Sequence, residues 1–234
     1  ATLQLTPECL SFHDLDRSNV AMLTVNMPKT IFAEYSCPEN TQVSFNLTEF
    51  LKLLSRAGKD DKVTLERAAD GKLCLTITEH FASEQAGKPK IRRFILPTLE
   101  SVAEAKPAIN LPFKSKAKVT VKSLLESVED ARLVNDFLYI NFDKDKLGFS
   151  SHGDLMDTDS ILEVGNPALL ELSTEAPAKA CYSIHYLSEI LKAGQALSSI
   201  AVLELNTDHP VKIDFVMQEG SVVFVLAPRI GADD

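Results

Sequence analysis

A short amphipathic segment occurs twice in this chain of 234 residues. The first copy is FLKLLSRAG at 50–58, and the second is YLSEILKAG at 186–194. Similar segments in the two halves of a sequence indicate a duplicated unit, and both copies are then expected to fold in the same way. This repeat constrains the fold more than any other feature of the sequence.

The first copy has the pattern of a helix followed by a hairpin. Apolar residues recur at helical spacing: Leu47, Phe50, Leu51 and Leu54. Asn46 precedes them with Glu49 three residues later, which predicts a capping box, and Gly58 is the expected stop. Alternating residues then flank the turn signal Asp70-Gly71, which predicts a hairpin over 62–77.

The second copy repeats this order of elements. Leu187, Ile190 and Leu191 form the apolar stripe, Gly194 is the expected stop, and a second alternating pair covers 200–217. A strand at 116–121 and a helix ending near Leu133 precede this copy. Nothing equivalent precedes the first copy, so we expect about two dozen residues to be missing ahead of Ala1.

Helices that are apolar on one side, combined with hairpins, predict an α+β fold in which helices cover one face of antiparallel sheets. The segment 97–112 has no glycine and no sustained period, and it contains Pro97, Pro107 and Pro112. We interpret it as a linker over the surface. The predicted boundaries are therefore a first domain at 1–96, a connecting loop at 97–112 and a second domain at 113–234.

Signatures of catalysis and of cofactor binding are absent from the sequence. It has no phosphate-binding glycine loop, no nucleophile elbow and no histidine pair at metal-binding spacing. We expect no catalytic residue, no cofactor and no metal ion. Two aspartate pairs, Asp14 with Asp16 and Asp157 with Asp159, leave open the alternative of an enzyme using paired carboxylates. No apolar run of membrane-spanning length occurs, so we expect no membrane partner.

Several stretches together resemble the sliding clamps of the proliferating cell nuclear antigen type, and archaeal members most closely. They are SFHDLDRSNVAMLTVNMP at 11–28, NLTEFLKLLSRAGKDDKVTLE at 46–66, YLSEILKAG, and VVFVLAPRIG at 222–231. The resemblance implies a ring of three subunits joined head to tail, each with two similar domains. Antiparallel sheets would form the outside, and helices would line a central channel around duplex DNA.

The resemblance also implies partners and a location. A clamp binds duplex DNA without regard to sequence, and a clamp loader places it there. Short hydrophobic peptide motifs attach DNA polymerase, ligase and flap endonuclease to it. The expected location is the cytoplasm, in association with the chromosome, or the nucleus in a eukaryote.

The net charge of −9 means that any DNA contact must come from a local basic surface. Lysine and arginine residues lie opposite the leucine stripe of the first copy, and Lys192 in the second copy takes the position of Arg56. The predicted DNA-facing residues are Lys52, Arg56, Lys59 and Lys192. The helix before the second copy departs from the family pattern, because it carries Glu126, Glu129 and Asp130. These acids are expected to face either the channel or the neighbouring subunit.

The family pattern places the partner-peptide pocket beneath the linker and beside the C-terminal strand. Carried over by position, its residues are Leu15, Val20, Met22, Leu99, Val102, Pro210, Val225, Ala227, Pro228 and Ile230. Ordinary core packing of Val20, Met22 and Val225 is the alternative. Asp233 and Asp234 are expected to attract basic residues that flank the peptide.

The family's subunit contact pairs a strand late in the first domain with one in the second, here 90–96 and 158–164. The predicted contact residues are Ile91, Arg92, Arg93, Phe94, Glu126, Glu129, Asp130 and Ile161. Whether the ring contains three copies of this chain or this chain is one subunit of a heterotrimer is left open by the sequence.

Overall fold

The computed structural model describes residues 1–80, 88–100 and 112–229. Strands and helices in chain order are β1 Thr2–Leu5, β2 Cys9–Leu15, β3 Ala21–Pro28, β4 Thr41–Ser44, α1 Leu47–Leu54, β5 Lys62–Arg67, β6 Leu73–Thr78, β7 Ile91–Leu96, β8 Ser115–Thr120, α2 Val121–Arg132, β9 Phe137–Phe142, β10 Lys146–His152, β11 Asp157–Glu163, β12 Leu169–Thr174, β13 Ala178–Ser183, α3 Ile184–Gln195, β14 Ile200–Leu205, β15 Val211–Phe215 and β16 Ser221–Leu226. A 3-10 turn covers Lys29–Ile31. No helix in the described part of the chain is long and apolar enough to cross a membrane.

The chain forms two compact units. The N-terminal unit comprises Ala1–Ser11 and the described part of Tyr35–Ala105, and the C-terminal unit comprises Phe12–Glu34 and the described part of Lys106–Asp234. The segment containing β3 belongs to the C-terminal unit, in which residues 21–26 of β3 pair with β16. The sequence-based boundaries at 96 and 112 stay predictions.

The N-terminal unit contains a three-stranded antiparallel sheet in the order β5-β6-β7 and the antiparallel pair β1-β4. The predicted hairpin is confirmed: β5 pairs with β6, and Gly71 in the turn has a φ of 82°, a conformation that glycine adopts without strain. The core residues of this unit are Val43, Phe45, Leu73, Leu75, Ile77 and Leu96.

Helix α1 begins as predicted, but two of the four residues in the predicted apolar stripe do not face the core. The Asn46 side chain accepts a hydrogen bond from the Glu49 amide at 3.2 Å, which confirms the N-cap. Leu47 and Leu51, however, are 43% and 51% exposed, whereas Phe50, Leu53 and Ala57 pack against the core. The Phe50 ring lies 4.8 Å from that of buried Phe45, and this aromatic contact fixes which side of α1 faces inward.

The C-terminal unit contains two antiparallel sheets. One has the order β12-β8-β14-β15-β16-β3, and the other has the order β11-β10-β9-β13. Helices α2 and α3 pack against each other; α2 also contacts β8 to β11, and α3 contacts β13. The predicted stripe of α3 is confirmed, because Leu187, Ile190 and Leu191 are all buried in the core. The hairpin predicted after α3 is confirmed by the pairing of β14 with β15.

Neither predicted glycine stop ends its helix. Helix α1 ends at Leu54, four residues before Gly58, and α3 continues to Gln195, past Gly194. Gly194 is instead buried against Phe215, where no side chain has room.

Taken as a whole, the described residues form mostly antiparallel strands with few helices. The predicted α+β class is confirmed.

Candidate DNA-facing, peptide-binding and subunit-contact surfaces

The predicted cations of the N-terminal unit are all exposed, but they do not share one helix. Lys52 lies on α1, where its Nζ donates to Glu49 Oε1 at 2.8 Å. Arg56 and Lys59 follow the end of α1, in the turn that leads to β5. Their prediction as one helical face was wrong, because the last turn of the expected helix does not form. A turn rather than a helix therefore orients two of these cations.

The exposed face of the α2 and α3 pair has mixed charge. Glu126, Glu129 and Asp130 are all exposed on α2, and Lys122 Nζ lies 3.8 Å from Glu126 Oε1. On α3, Lys192 is exposed, and its Nζ lies 3.8 Å from Glu189 Oε1. Exposed pairs of this kind contribute little to stability, but they neutralise the local field. Of the predicted DNA-facing cations, Arg56 and Lys59 take no part in these ion pairs along a helix.

Met22 and Val225 lie directly opposite each other in the β3–β16 ladder, and each is 6% exposed. Their strand neighbours Leu23 and Leu226 belong to or contact the C-terminal core. Because successive side chains in a strand point to opposite faces, Met22 and Val225 face away from that core. Val20, in contrast, packs against the core. Val20 therefore packs on the main core of the C-terminal unit, whereas Met22 and Val225 are buried on the opposite face of the β3–β16 ladder.

The other predicted pocket residues divide between the two units. Leu15, Pro210, Ala227 and Pro228 are half-buried in the C-terminal unit. Leu99 belongs to the N-terminal unit, where its amide donates to the Ser44 carbonyl at 2.8 Å. Four predicted residues lie outside the described residues: Val102, Ile230, Asp233 and Asp234.

The segment after β16 is tied down on both sides of Pro228. The Ala227 amide donates to the Val20 carbonyl at 2.8 Å, and the Arg229 amide donates to the Cys181 carbonyl at 2.8 Å. The Arg229 guanidinium lies 3.6 Å from the centre of the Phe137 ring. Proline has no amide hydrogen. The amides of 227–229 are therefore not available to donate to a docked peptide, and contact with a peptide there must use side chains and carbonyl oxygens.

Both predicted contact strands are edge strands of their sheets. Strand β7 has β6 on one side, and β11 has β10 on one side, with no strand from the described residues on the other. The exposed row of β7 consists of Ile91, Arg93 and Ile95, and the two isoleucines are 62% and 63% exposed. Ile95 was missed in the sequence, although simple alternation from Ile91 identifies it.

Two of the residues predicted for the subunit contact have side chains that point inward instead. Phe94 packs against the core of the N-terminal unit. Arg92 Nη2 donates to Asp61 Oδ2 at 2.9 Å, and its Nη1 donates to the Arg56 carbonyl at 2.6 Å. Both lie on the face of β7 opposite Ile91 and Arg93, because the residues of a strand alternate.

The backbone groups of the exposed rows point toward the open edges. In β7, the Glu79 amide donates to the Lys90 carbonyl, so the groups of Ile91, Arg93 and Ile95 point away from β6 by alternation. In β11, the Val164 amide donates to the Asp145 carbonyl, so Asp157, Asp159 and Ile161 point away from β10. Each edge therefore offers donors and acceptors for one further strand.

The aspartate pairs have structural partners. Asp16 accepts hydrogen bonds from the amides of Ser18, Val20 and Ala21 and from the Tyr186 hydroxyl. Burial alone raises the pKa of Asp16, but the donors from Ala21, Tyr186, Val20 and Ser18 outweigh it and hold the pKa below its usual range. A carboxylate with a lowered pKa is a weak base, which disfavours the enzyme alternative for this pair.

The second pair lies beside the turn after β10. Asp157 Oδ1 lies 3.2 Å from His152 Nδ1 and 3.4 Å from the Gly153 amide. Asp159 is exposed on the next outward position of β11. Among the described residues, no group of three or more histidine, cysteine, aspartate or glutamate side chains is placed to hold a metal ion.

Two family models match the chain. They are the N-terminal domain of proliferating cell nuclear antigen, over residues 1–96, and its C-terminal domain, over residues 111–230. Among curated proteins, the DNA polymerase sliding clamps of Nitrosopumilus maritimus and Thermococcus gammatolerans are each 28% identical to it over 98% of this chain and 89% of their own length.

Solved structures have the same fold. A crystal structure of proliferating cell nuclear antigen from Thermococcus kodakaraensis superposes with a TM-score of 0.86, at 26% identity, over 98% of this chain and 90% of that one. A chain in a complex of two such antigens from Sulfolobus tokodaii gives a TM-score of 0.84 at 23% identity, over 97% of this chain and 89% of that one. The matches span both halves, and the chain belongs to the proliferating cell nuclear antigen family.

Proposed function

We propose that this chain is a subunit of a DNA sliding clamp, a ring of three subunits that encircles duplex DNA and tethers a replicative DNA polymerase to it. The observation that carries this proposal is the match of both halves of the chain to one family, with relatives named DNA polymerase sliding clamp. The proposal includes a first domain at 1–96, a connecting loop at 97–112 and a second domain at 113–234. The clamp itself performs no catalysis.

DNA contact is assigned to Lys52, Arg56, Lys59 and Lys192. Lysine and arginine that meet phosphates attract DNA of any sequence through counterion release, and they do not distinguish bases. Lys52 and Lys192 have carboxylates nearby, so Arg56 and Lys59 supply most of the attraction. Weak, sequence-independent attraction suits a ring that must slide.

The acids of α2 have two candidate positions in the ring. Facing the channel, Glu126, Glu129 and Asp130 repel phosphates and further weaken the attraction for DNA. Facing the next subunit, they pair with the cations of its N-terminal unit, such as Arg56 and Lys59. Pairs of that second kind set the choice of partner more than affinity.

Ring closure is assigned to head-to-tail pairing of β7 in one copy with β11 in the next. A strand added there satisfies the outward backbone groups of both edges, and head-to-tail contacts that close produce a ring. An antiparallel register that places Ile91 opposite Ile161 also places Arg93 opposite Asp159. This register joins Ile91 to Ile161 and Arg93 to Asp159 and leaves Ile95 opposite Asp157, whereas a shift of two residues places Ile91 opposite either Glu163 or Asp159.

The alternative is one subunit of a heterotrimeric ring. In that case the β7 edge of this chain and its own β11 edge need not be complementary. The match of Arg93 and Ile91 with Asp159 and Ile161 within a single sequence favours self-association. Size-exclusion chromatography with light scattering on the chain alone separates the two cases, because only the homotrimer forms without other subunits.

The partner surface is assigned to the face of the C-terminal unit that carries Met22 and Val225. These apolar side chains face away from the core, and half-buried Leu15, Pro210 and Ala227 are of the small or branched apolar type that leaves a concavity. Met22 adapts to ligands of different shape. The surface suits a short hydrophobic peptide from a polymerase, ligase, flap endonuclease or clamp loader. The proposal includes Leu99 and Val102 as a lid over this surface. It also includes the chromosome as the place where the clamp acts.

A topological experiment tests the function. The chain is loaded onto nicked circular DNA with a cognate clamp loader, and the DNA is then cut once. A sliding ring stays on the circle through gel filtration and is lost from the linear form. A chain that stays on linear DNA, or that never remains on the circle, contradicts the proposal.

A further inference from the structure

The carboxylate of Asp61 organises the turn between α1 and β5. Its Oδ2 accepts from the Gly58 amide at 2.9 Å and from Arg92 Nη2 at 2.9 Å, and its Oδ1 accepts from the His80 amide at 3.2 Å. The Asp61 side chain is only 9% exposed. A carboxylate held by three donors at this depth fixes the backbone around it.

Arg92 joins the two ends of this turn. Its Nη2 binds Asp61 at the end of the turn, and its Nη1 donates to the Arg56 carbonyl at the beginning, at 2.6 Å. The planar guanidinium presents its donors in a fixed fork, so one side chain sets the separation of both acceptors. Arg56 and Lys59, both exposed, lie on the segment that is held in this way.

We do not expect Arg92 to attract DNA phosphates through its own charge. Asp61 neutralises it at 2.9 Å, and the Arg92 side chain is 25% exposed on the inward face of β7. Any influence of Arg92 on phosphate binding must therefore pass through the shape of the turn.

We propose that Arg92 is a positioning residue for DNA contact: by bridging the Arg56 carbonyl and the Asp61 carboxylate, it holds the 56–61 turn in the conformation that presents Arg56 and Lys59 to phosphates. This inference rests on the proposed function, which assigns those two cations to DNA. It gives a role to a residue that the sequence predicted for the subunit contact.

Arg92→Lys is the informative variant, because lysine keeps the charge but has no fork that reaches both acceptors. Binding of a short duplex DNA is measured by fluorescence anisotropy over a series of sodium chloride concentrations. Loss of Arg56 and Lys59 together, as Ala, lowers the slope of log K against log salt by about 1.8, since each phosphate contact contributes about 0.9. We expect Arg92→Lys to lower affinity about three- to tenfold at low salt and to reduce the slope in the same direction.

A double-mutant cycle separates positioning from general damage. Arg92→Lys added to the Arg56→Ala, Lys59→Ala variant is expected to change DNA binding no further, because the side chains that it positions are gone. Lys72→Gln serves as the control, since it removes a cation of the same unit that is paired with Asp70 outside the turn. We expect this control to bind DNA like the parent chain.

A second readout does not depend on DNA. Brief trypsin treatment is expected to cleave after Arg56 and Lys59 faster in Arg92→Lys and in Asp61→Asn than in the parent, since both variants loosen the turn. Unchanged cleavage with unchanged DNA binding overturns the inference, as does an equal loss of binding in the parent and in the Arg56→Ala, Lys59→Ala background. If that background itself binds DNA like the parent, the DNA-facing assignment fails as well.

Discussion

Gly194 lies so close to Phe215 that a β-carbon on it would sit 1.9 Å from the ring atoms Cε1 and Cζ. Gly194 is inside α3, and Phe215 ends β15, with both residues buried. The helix can approach the sheet this closely only because residue 194 has no side chain. The repeated Ala-Gly ending of the two segments thus has a packing role in its second copy.

Replacing Gly194 with Ala should destabilise the C-terminal unit by about 1–3 kcal/mol, because the ring or the helix must move to admit a methyl group. Denaturation by urea, followed by circular dichroism, measures the loss. Gly148→Ala is the matched control. A β-carbon at 148 would lie 3.6 Å from the nearest atom, at Asn141, so we expect little change there. Equal stability of the two variants would contradict the packing argument.

Arg93→Asp should prevent ring formation, since it places like charges opposite each other in the proposed β7–β11 contact, where such juxtaposition is strongly unfavourable. Asp159→Arg should do the same. The two changes in one chain restore opposite charges, and light scattering should show the trimer again. A double variant that stays monomeric while folded would exclude the Arg93–Asp159 pair.

Cysteines at 91 and 161 test the register itself. Directly opposed residues in a hydrogen-bonded antiparallel pair have Cα atoms about 5.5 Å apart, which permits a disulfide. We expect Ile91→Cys with Ile161→Cys to give covalent trimers under mild oxidation and Ile95→Cys with Ile161→Cys to give none. Single variants control for the four native cysteines, which are free thiols. Efficient cross-linking between positions 95 and 161 would instead indicate a register shifted by four residues and would contradict the proposed one.

Removal of residues 227–234 should weaken binding of a fluorescent hydrophobic clamp-binding peptide at least tenfold, about 1.4 kcal/mol, with the trimer preserved. The deletion also removes the bonds from Ala227 to Val20 and from Arg229 to Cys181, so its stability must be measured in parallel. Met22→Ser is the second variant, because it alters the proposed surface and leaves the C-terminal segment intact. Full affinity in both variants would place the partner surface elsewhere.

Asp16 should make stability depend on pH in the acid range. Its hydrogen bonds lower its pKa in the folded state, so its contribution is present above the unfolded pKa and is lost as pH falls through the folded one. Asp16→Asn removes the titration. Urea midpoints over an acid series should therefore differ between the two proteins near neutral pH, and the difference should begin to shrink below about pH 4, where the unfolded Asp16 takes up a proton. Curves that stay parallel would show that the Asp16 carboxylate does not carry this dependence.

The sequence alone determined the features that depend on local pattern. Alternation placed hairpins at 62–77 and 200–217, and the residues 187, 190 and 191 identified the buried side of α3, because strand and helix periods are properties of the backbone. The same alternation, had it been applied to β7, would have grouped Ile91 and Arg93 with Ile95, which the prediction left out. The N-cap at Asn46 followed from the chemistry of a single side chain.

Only the tertiary structure decided the features that depend on distant neighbours. Helix α1 turns Phe50 rather than Leu47 inward because Phe45 lies beneath it, and Arg92 points away from the contact edge because Asp61 offers a carboxylate there. Met22 and Val225 are apolar in sequence and buried in the structure, yet they lie on the face of the β3–β16 ladder opposite the main core of the C-terminal unit. Hydrophobicity is recorded in each residue, but the face that a residue occupies is set by what packs against its strand or helix.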